Sequence, residues 1–255
     1  MLSEAKAIYL ATRKRHDQLF NTYLMRPIAG LAVAVLSRTS VTPNQLTLVS
    51  VTLLAVAAVI FIAWPDPRAA WVGVFMVELS YLFDCCDGML ARHKKLASKQ
   101  GHLFDFFTDE TKAVMLVGAL AIRLWRTGGL GPLGESWSAG SPWFLVAGIG
   151  AVTVIASASS LTNFVRRPEI SGRETSVEAY YETVAEGAEQ QSVVRKLAGL
   201  VVTFLRFLNH YPSHIWVFGL LGRLDVFFWI YGAINLLYLG RGWLGLIIRF
   251  GKPGP

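Results

Sequence analysis

Two long apolar stretches meet in residues 84–109, which read DCCDGMLARHKKLASKQGHLFDFFTD. The first stretch, Ala69–Arg92, ends within this segment, and the second, His102–Trp125, begins within it. Each has about the 20 residues that a helix needs to cross a bilayer. Six acidic residues lie inside these predicted spans, and four of them fall in this segment: Asp84, Asp87, Asp105 and Asp109. Because carboxylates are costly in lipid, they must face a cavity, a cation or each other, and they mark a candidate functional site.

The composition of the whole chain predicts an all-α membrane protein. Hydrophobic residues make up 53% of its 255 residues and charged residues only 16%, whereas soluble domains carry about 25% charged residues. This excludes soluble, disordered and coiled-coil classes. The net charge is +7, and the basic residues lie beside apolar stretches. This placement favours membrane lipids over nucleic acid as the partner.

Hydropathy divides the chain into two parts. Residues 1–43 alternate basic and apolar patches without a stretch long enough to span, which predicts one or two interfacial amphipathic helices. Residues 44–255 form the predicted membrane domain of six transmembrane helices. Those spans are Asn44–Trp64, Ala69–Arg92, His102–Trp125, Ser141–Phe164, about 205–222 and about 225–247.

The distribution of Lys and Arg predicts the orientation of the six spans. Nineteen of these residues fall on the side of the termini and of the even-numbered links, and four fall on the other side. Both termini are therefore expected in the cytosol. On the same side lies a cytosolic loop at about 166–204, rich in Glu, in which residues 176–190 are predicted to form a short soluble helix.

Spacing places the acidic residues of the second predicted span on one helical face. At 100° per residue, that face carries two carboxylates and two very small residues: Asp84, Asp87, Gly88 and Ala91. The small residues leave room for a ligand to approach the helix backbone. This face is therefore expected to border a binding site.

The third predicted span repeats the pattern. One stripe of this helix carries Gly101, Asp105 and Asp109 at intervals of four residues. The link His93–Gln100 is short and basic, so the second and third helices are expected to be antiparallel neighbours. All four aspartates are then expected to converge near the cytosolic face.

Four carboxylates without a His or Cys ligand set are typical of a site for a hard cation. Mg²⁺ or Mn²⁺ fits such oxygen ligands and zinc does not. Paired divalent ions held by shared carboxylates typically serve phosphoryl chemistry. We therefore predict a site for Mg²⁺ or Mn²⁺ at the acidic cluster.

The fixed positions of this segment resemble the signature of the CDP-alcohol phosphatidyltransferase family. They read Asp84-x2-Asp87-Gly88-x2-Ala91-Arg92-x8-Gly101-x3-Asp105-x3-Asp109. The resemblance implies an enzyme of phospholipid biosynthesis, often a homodimer, that transfers a substituted phosphate from a CDP-alcohol to an alcohol acceptor and releases CMP. It also implies that the four aspartates hold two divalent ions and that Asp109 is the general base.

The resemblance extends to the nucleotide pocket. Gly88 and Arg92 would contact the CDP moiety, with Arg92 on the diphosphate. Ser98, in the short link, occupies the position of a small hydroxyl residue that touches the nucleotide. Asn44 and Thr47 would line the pocket from the first span, although Asn44 is also suited to starting a helix.

Three basic residues are candidates for binding an acceptor phosphate. Lys112 lies three residues beyond Asp109, where it either leans toward the phosphates or pairs with an acid. Arg166 and Arg167 end the fourth span, where they either bind the acceptor or serve only as cytosolic positive charges.

The signature leaves the substrates and the function class open. CDP-diacylglycerol is the favoured donor, and the alternative is transfer from CDP-choline or CDP-ethanolamine to diacylglycerol. Phe106-Phe107-Thr108 departs from the Pro-x-Ala pattern typical of phosphatidylglycerophosphate synthases. Membrane-embedded carboxylates also occur in cation transporters, and an inactive membrane scaffold is a third class. The crowding of the acids at one face argues against a transport path.

Overall fold

The computed structural model describes residues 1–12, 17–171 and 203–251. Within them the chain is almost entirely helical, as its composition predicts. The predicted cytosolic loop at about 166–204, with its helix at 176–190, lies almost wholly outside the described residues.

Two short helices open the chain. Helix α1 (Leu2–Thr12) packs against helix α2 (Arg26–Leu36), which a π-helical turn at Asn21–Met25 precedes. Helix α2 in turn packs against the fourth helix of the chain, and apolar residues of all three fill a common core. The apolar helix Asn21–Leu36 is too short to be a spanning candidate, in agreement with the sequence.

The next three helices carry most of the candidate site, and each begins with a side-chain cap. Helix α3 (Pro43–Ala63) starts with a capping box in which Thr42 and Gln45 bond each other's backbone amides. Asp66 caps helix α4 (Pro67–His93), and Ser98 caps helix α5 (Lys99–Thr127). Since these caps bind otherwise unpaired amides, they fix where each helix begins.

Helix α3 packs extensively against both α4 and α5, whereas the backbones of α4 and α5 hardly approach each other. The predicted direct pairing of α4 with α5 is therefore limited to their facing side chains. Aspartates from both helices and Lys112 occupy the space between them, so the helices cannot close to ordinary packing distance.

Two arginines of α5 join it to the end of α3 away from the aspartates. Arg123 donates hydrogen bonds to the carbonyl oxygens of Trp64, Pro65 and Asp66 at 2.8, 3.2 and 2.9 Å. Arg126 donates to the carbonyl oxygen of Ala63 at 2.9 Å. Arg126 thus supplies a donor to a carbonyl in the last turn of α3, and Arg123 binds the link between α3 and α4.

A short hairpin links α5 to the sixth helix. Its strands, β1 (Gly129–Leu130) and β2 (Ser136–Trp137), pair antiparallel with Gly129 opposite Trp137. Helix α6 (Trp143–Arg166) packs back against α5 and is followed by a single helical turn, α7 (Pro168–Ser171).

The fifth predicted span, about 205–222, is not one continuous helix. Residues 203–209 are helical, a 3₁₀ turn occupies Tyr211–Ser213, and helix α8 (Ile215–Leu220) follows. Pro212 explains the break, because proline lacks an amide donor and disfavours helical geometry in the residue before it. Helix α9 (Leu224–Phe250) covers the sixth predicted span and packs against α6.

Among the described residues, three helices are long and apolar enough to cross a membrane: α3, α4 and α6. Helices α5 and α9 have sufficient length, 29 and 27 residues, but are not among these three candidates. The chain is therefore an all-α membrane protein.

Candidate active site

The link between α4 and α5 is held against the start of α3. Lys94, which ends α4, donates hydrogen bonds from Nζ to the carbonyl oxygens of Thr39 and Val41 at 2.8 and 3.0 Å. On the other side of the link, the Ser98 hydroxyl accepts a hydrogen bond from the amide of Gly101 at 3.0 Å. These contacts bring the beginnings of α3 and α5 to the end of α4.

An acidic cluster lies between α4 and α5. Asp84, Asp105 and Asp109 each contribute an oxygen to a group in which all these atoms lie within 4.8 Å of one another. The Asp84 side chain is 14% exposed and that of Asp109 is 50% exposed, so the cluster opens outward on the α5 side. A purely carboxylate donor set of this size fits a hard divalent cation and does not fit a thiolate- or imidazole-bound metal.

Lys112 lies against this cluster and is almost completely buried, with its side chain 1% exposed. Its ammonium makes ion pairs with Asp84 and, at 2.8 Å, with Asp109 Oδ1. It also donates to the hydroxyl of Ser50 at 3.1 Å. The ammonium therefore joins α3, α4 and α5 at one point.

Two serines lie beside the ammonium. Ser50 of α3 and Ser80 of α4 are both buried, and their hydroxyl oxygens are 3.2 Å apart. Ser80 also donates to the carbonyl oxygen of Ser50 at 2.7 Å. Sequence reasoning did not identify either serine, although Ser50 lies one turn after Thr47 on the same face of α3. That spacing was the available signal.

The fourth aspartate, Asp87, is outside the cluster of three. It is buried, and its Oδ2 accepts a hydrogen bond of 2.5 Å from the Thr47 hydroxyl. The carboxylates of Asp84 and Asp105 lie close enough to interact with it electrostatically. The expected convergence is thus found for three aspartates, while Asp87 is held by α3 beside them.

The residues predicted for the nucleotide lie on the last turns of α4, in the link that follows it and at the start of α3. A Cβ atom on Gly88 would meet only the Arg92 guanidinium, at 3.5 Å from Nη1, so this face of α4 has space beside it. Asn44 Oδ1 lies 3.6 Å from where a Cβ on Gly101 would be, which brings the start of α3 next to the start of α5. Thr42, and not Asn44, caps α3.

The two candidate acceptor residues at the end of α6 differ in their surroundings. The Arg166 guanidinium carbon is 4.7 Å from the ring centroid of Phe106, a residue next to Asp105 on α5. Arg167 follows the last residue of α6 and is exposed. Arg166 therefore contacts α5, on the residue that follows Asp105.

A buried polar network, which the sequence did not predict, includes Tyr81, one turn before Asp84 on α4. Asp17 forms an ion pair with Arg26 and accepts a hydrogen bond from Asn21 at 2.9 Å. Tyr81 donates to Asn21 Oδ1 at 2.6 Å, and its oxygen lies 2.8 Å from His210 Nε2. The network connects the N-terminal segment to α4 and to the turn before α8.

Comparison with known proteins gives one family. The family model described as CDP-alcohol phosphatidyltransferase matches residues 40–184, which include α3, α4, α5, α6 and every residue of the acidic cluster. No curated protein sequence matches the chain significantly.

Proposed function

Because the chain belongs to the CDP-alcohol phosphatidyltransferase family, we propose that it transfers the phosphatidyl group of CDP-diacylglycerol to an alcohol acceptor and releases CMP. The family consists of transferases of substituted phosphate groups in phospholipid biosynthesis, so the chain is a membrane enzyme of this class. The choice of CDP-diacylglycerol as donor is the specific part of the proposal.

The acidic cluster is the single observation that carries the proposal. Asp84, Asp105 and Asp109 meet at one end of α4 and α5, inside the family match. Membrane helices bring carboxylates together only where a cation or a reaction requires them. The partly exposed Asp109 gives this group an opening toward an incoming substrate.

The aspartates fit divalent metal binding, and members of the family use divalent metals. We assign the ligand role to Asp84, Asp87, Asp105 and Asp109, with Mg²⁺ or Mn²⁺ as the cation and two ions in the full site. Such ions neutralise charge on a diphosphate and favour the departure of CMP.

Asp109 is the proposed general base. An alcohol is a poor nucleophile, and a carboxylate within reach can accept its proton as the new bond forms. The acceptor oxygen bonds to the phosphorus of the phosphatidyl group, the phosphorus–oxygen bond to CMP breaks, and Asp109 receives the acceptor's proton. Lys112, 2.8 Å from Asp109 Oδ1, holds that carboxylate in position.

The nucleotide is proposed to bind over Gly88, where α4 has space beside it. Arg92 contacts the diphosphate, and Ser98 and Asn44 border the pocket from the link and from α3. Thr47 contributes through its hydrogen bond to Asp87.

The acceptor is proposed to enter from the α5–α6 side. Arg166 lies over Phe106 there, and Arg167 follows it at the end of α6. These two residues provide positive charge for an acceptor that carries a phosphate, whereas Lys112 is buried against Asp84 and Asp109.

The membrane arrangement is part of the proposal. Helices α5 and α9 and the interrupted segment at about 205–222 join the three spanning candidates to give six spans in residues 44–255. Residues 1–43 then lie at the cytosolic membrane surface, both termini are cytosolic, and the enzyme is a homodimer.

The test is CMP release by the purified protein in detergent with Mn²⁺. One arm supplies CDP-diacylglycerol with a panel of alcohols, and the other supplies CDP-choline or CDP-ethanolamine with diacylglycerol. Release only in the first arm supports the proposed donor, and release only in the second overturns it. Loss of release in Asp105→Asn excludes a contaminating enzyme. Cation flux in sealed vesicles without any CMP release would point to a transporter.

A further inference from the structure

The Lys112 ammonium has three polar partners, on three different helices. Its ammonium contacts two members of the acidic cluster, Asp84 and Asp109, and the Ser50 hydroxyl on a third helix. With 1% of its side chain exposed, it has no access to bulk water. An ammonium in such surroundings is stabilised only by the charges and acceptors that touch it.

The two carboxylates that Lys112 contacts are also two of the three that form the candidate metal site. Three clustered carboxylates with no cation among them would repel one another strongly in a medium of low polarity. The ammonium offsets part of that repulsion. A divalent ion placed on the same oxygens would do the same with twice the charge.

We propose that Lys112 is a built-in countercation, which holds Asp84 and Asp109 together before divalent ions bind and yields the Asp84 carboxylate to them when they do. This inference rests on the proposed function, because it requires the acidic cluster to be a metal site. Lys112 is then a positioning residue, acting through the carboxylates.

Ser50 makes the exchange feasible. Because Ser50 lies on α3, Lys112 can leave Asp84 and keep a hydrogen-bond acceptor. Ser80, 3.2 Å from Ser50, extends the polar surface on that side. The ammonium keeps its ion pair with Asp109 and its hydrogen bond to Ser50, so that displacing it from Asp84 does not leave an unpaired charge buried in the membrane.

A structural ion pair and a competing countercation differ in what they do to metal affinity. If Lys112 only stabilised the helix packing, its removal would lower stability equally with and without metal. If it competes for the carboxylates, its removal lowers the stability of the metal-free protein and strengthens metal binding.

The experiment is calorimetric titration of Mn²⁺ into the purified full-length protein without substrate, together with thermal unfolding with and without Mn²⁺. It compares the wild type with Lys112→Met, which keeps the length of the side chain and removes its charge. Lys6→Met, at an exposed position on α1, is the matched control. We expect Lys112→Met to bind Mn²⁺ at least tenfold more tightly than the wild type. Without metal it should unfold at a lower temperature than the wild type, and Mn²⁺ should restore its unfolding temperature.

Equal affinity in Lys112→Met and wild type would overturn the inference while leaving the proposed function intact. Absence of Mn²⁺ binding in the wild type would remove the metal site itself, and the inference with it. A structure of the Mn²⁺-bound wild type tests the same point without a variant. We expect Lys112 Nζ beyond hydrogen-bond distance of Asp84, and a retained Lys112–Asp84 bond with Mn²⁺ present would contradict the exchange.

Discussion

Thr47 on α3 donates a hydrogen bond of 2.5 Å to Asp87 on α4, and both side chains are buried. We expect Thr47→Val to reduce CMP release, because the Asp87 carboxylate loses its donor and a buried acceptor without a partner costs about 1–3 kcal/mol. Thr47→Ser keeps the hydroxyl and should retain most of the activity. Steady-state kinetics of both variants checks this, and equal activity of Thr47→Val and wild type would exclude a role for the bond.

Asp109→Asn should lower CMP release by about 10²–10⁴-fold, because the amide cannot accept the acceptor's proton. Binding of CDP should be largely spared, since the side-chain shape is kept. Asp66→Asn is the matched control: it is the same substitution at the far end of α4, where asparagine caps the helix as well as aspartate. Near-normal turnover by Asp109→Asn would remove Asp109 from the role of base.

Gly88→Leu should abolish nucleotide binding by filling the open face of α4. The fold should tolerate Gly88→Ala, because the added Cβ meets nothing closer than Arg92 Nη1 at 3.5 Å. CMP binding measured by calorimetry should therefore fall in steps from glycine to alanine to leucine. Unchanged CMP affinity in Gly88→Leu, with normal thermal unfolding, would place the nucleotide elsewhere.

Gly73→Ala should destabilise the packing of α3 on α4. A Cβ at this position would lie 2.5 Å from Phe61 Cε1, and Phe61 is fully buried. Overpacking of this kind costs about 1–3 kcal/mol. Thermal unfolding should show the loss, and the double variant Gly73→Ala with Phe61→Leu should recover part of it. Gly150→Ala in α6, where nothing lies within 4 Å, should stabilise the protein by up to about 1 kcal/mol, because alanine favours a helix more than glycine does.

The Asp17–Arg26 pair should make the stability of the folded protein depend on pH in the acidic range. Burial opposes ionisation of Asp17, but Arg26 and the hydrogen bond from Asn21 outweigh it and bring the pKa below its ordinary value of 3.8. The stabilisation is therefore complete above pH 3.8 and is lost as pH falls through the folded pKa.

Asp17→Asn tests that dependence. It should unfold at a lower temperature than wild type at neutral pH, and the difference should shrink as the pH is lowered below 3.8. A difference that stays constant over this range would mean that the charge of Asp17 does not contribute to stability.

The sequence predicted the acidic site more completely than it predicted the packing around that site. The helical spacing of Asp84, Asp105 and Asp109 was sufficient to predict their meeting, because the link between α4 and α5 is short. The family was predicted from the same segment, and the family match over residues 40–184 confirms it. The position of Asp87 required knowledge of Thr47 on a different helix, which periodicity alone does not supply.

Long-range contacts were the part that the sequence did not reveal. The bond between Tyr81 and His210 joins positions 129 residues apart, and no spacing rule links them. The break at Pro212 was foreseeable from proline's missing amide donor, whereas hydropathy averages over it. Hydropathy therefore predicted a helix where the chain makes a turn.

The arginine contacts at the end of α3 help to fix the angle of α5, and therefore the position of the aspartates at its other end. Arg123 and Arg126 fix α5 to α3 at their shared far end, and Asp105 lies about 27 Å away along the helix at 1.5 Å per residue. Over that lever arm, a tilt of about 2° moves a carboxylate by about 1 Å, enough to spoil a reacting geometry. The geometry of the acidic cluster therefore depends on contacts at the far end of α5 as well as on those around Lys112.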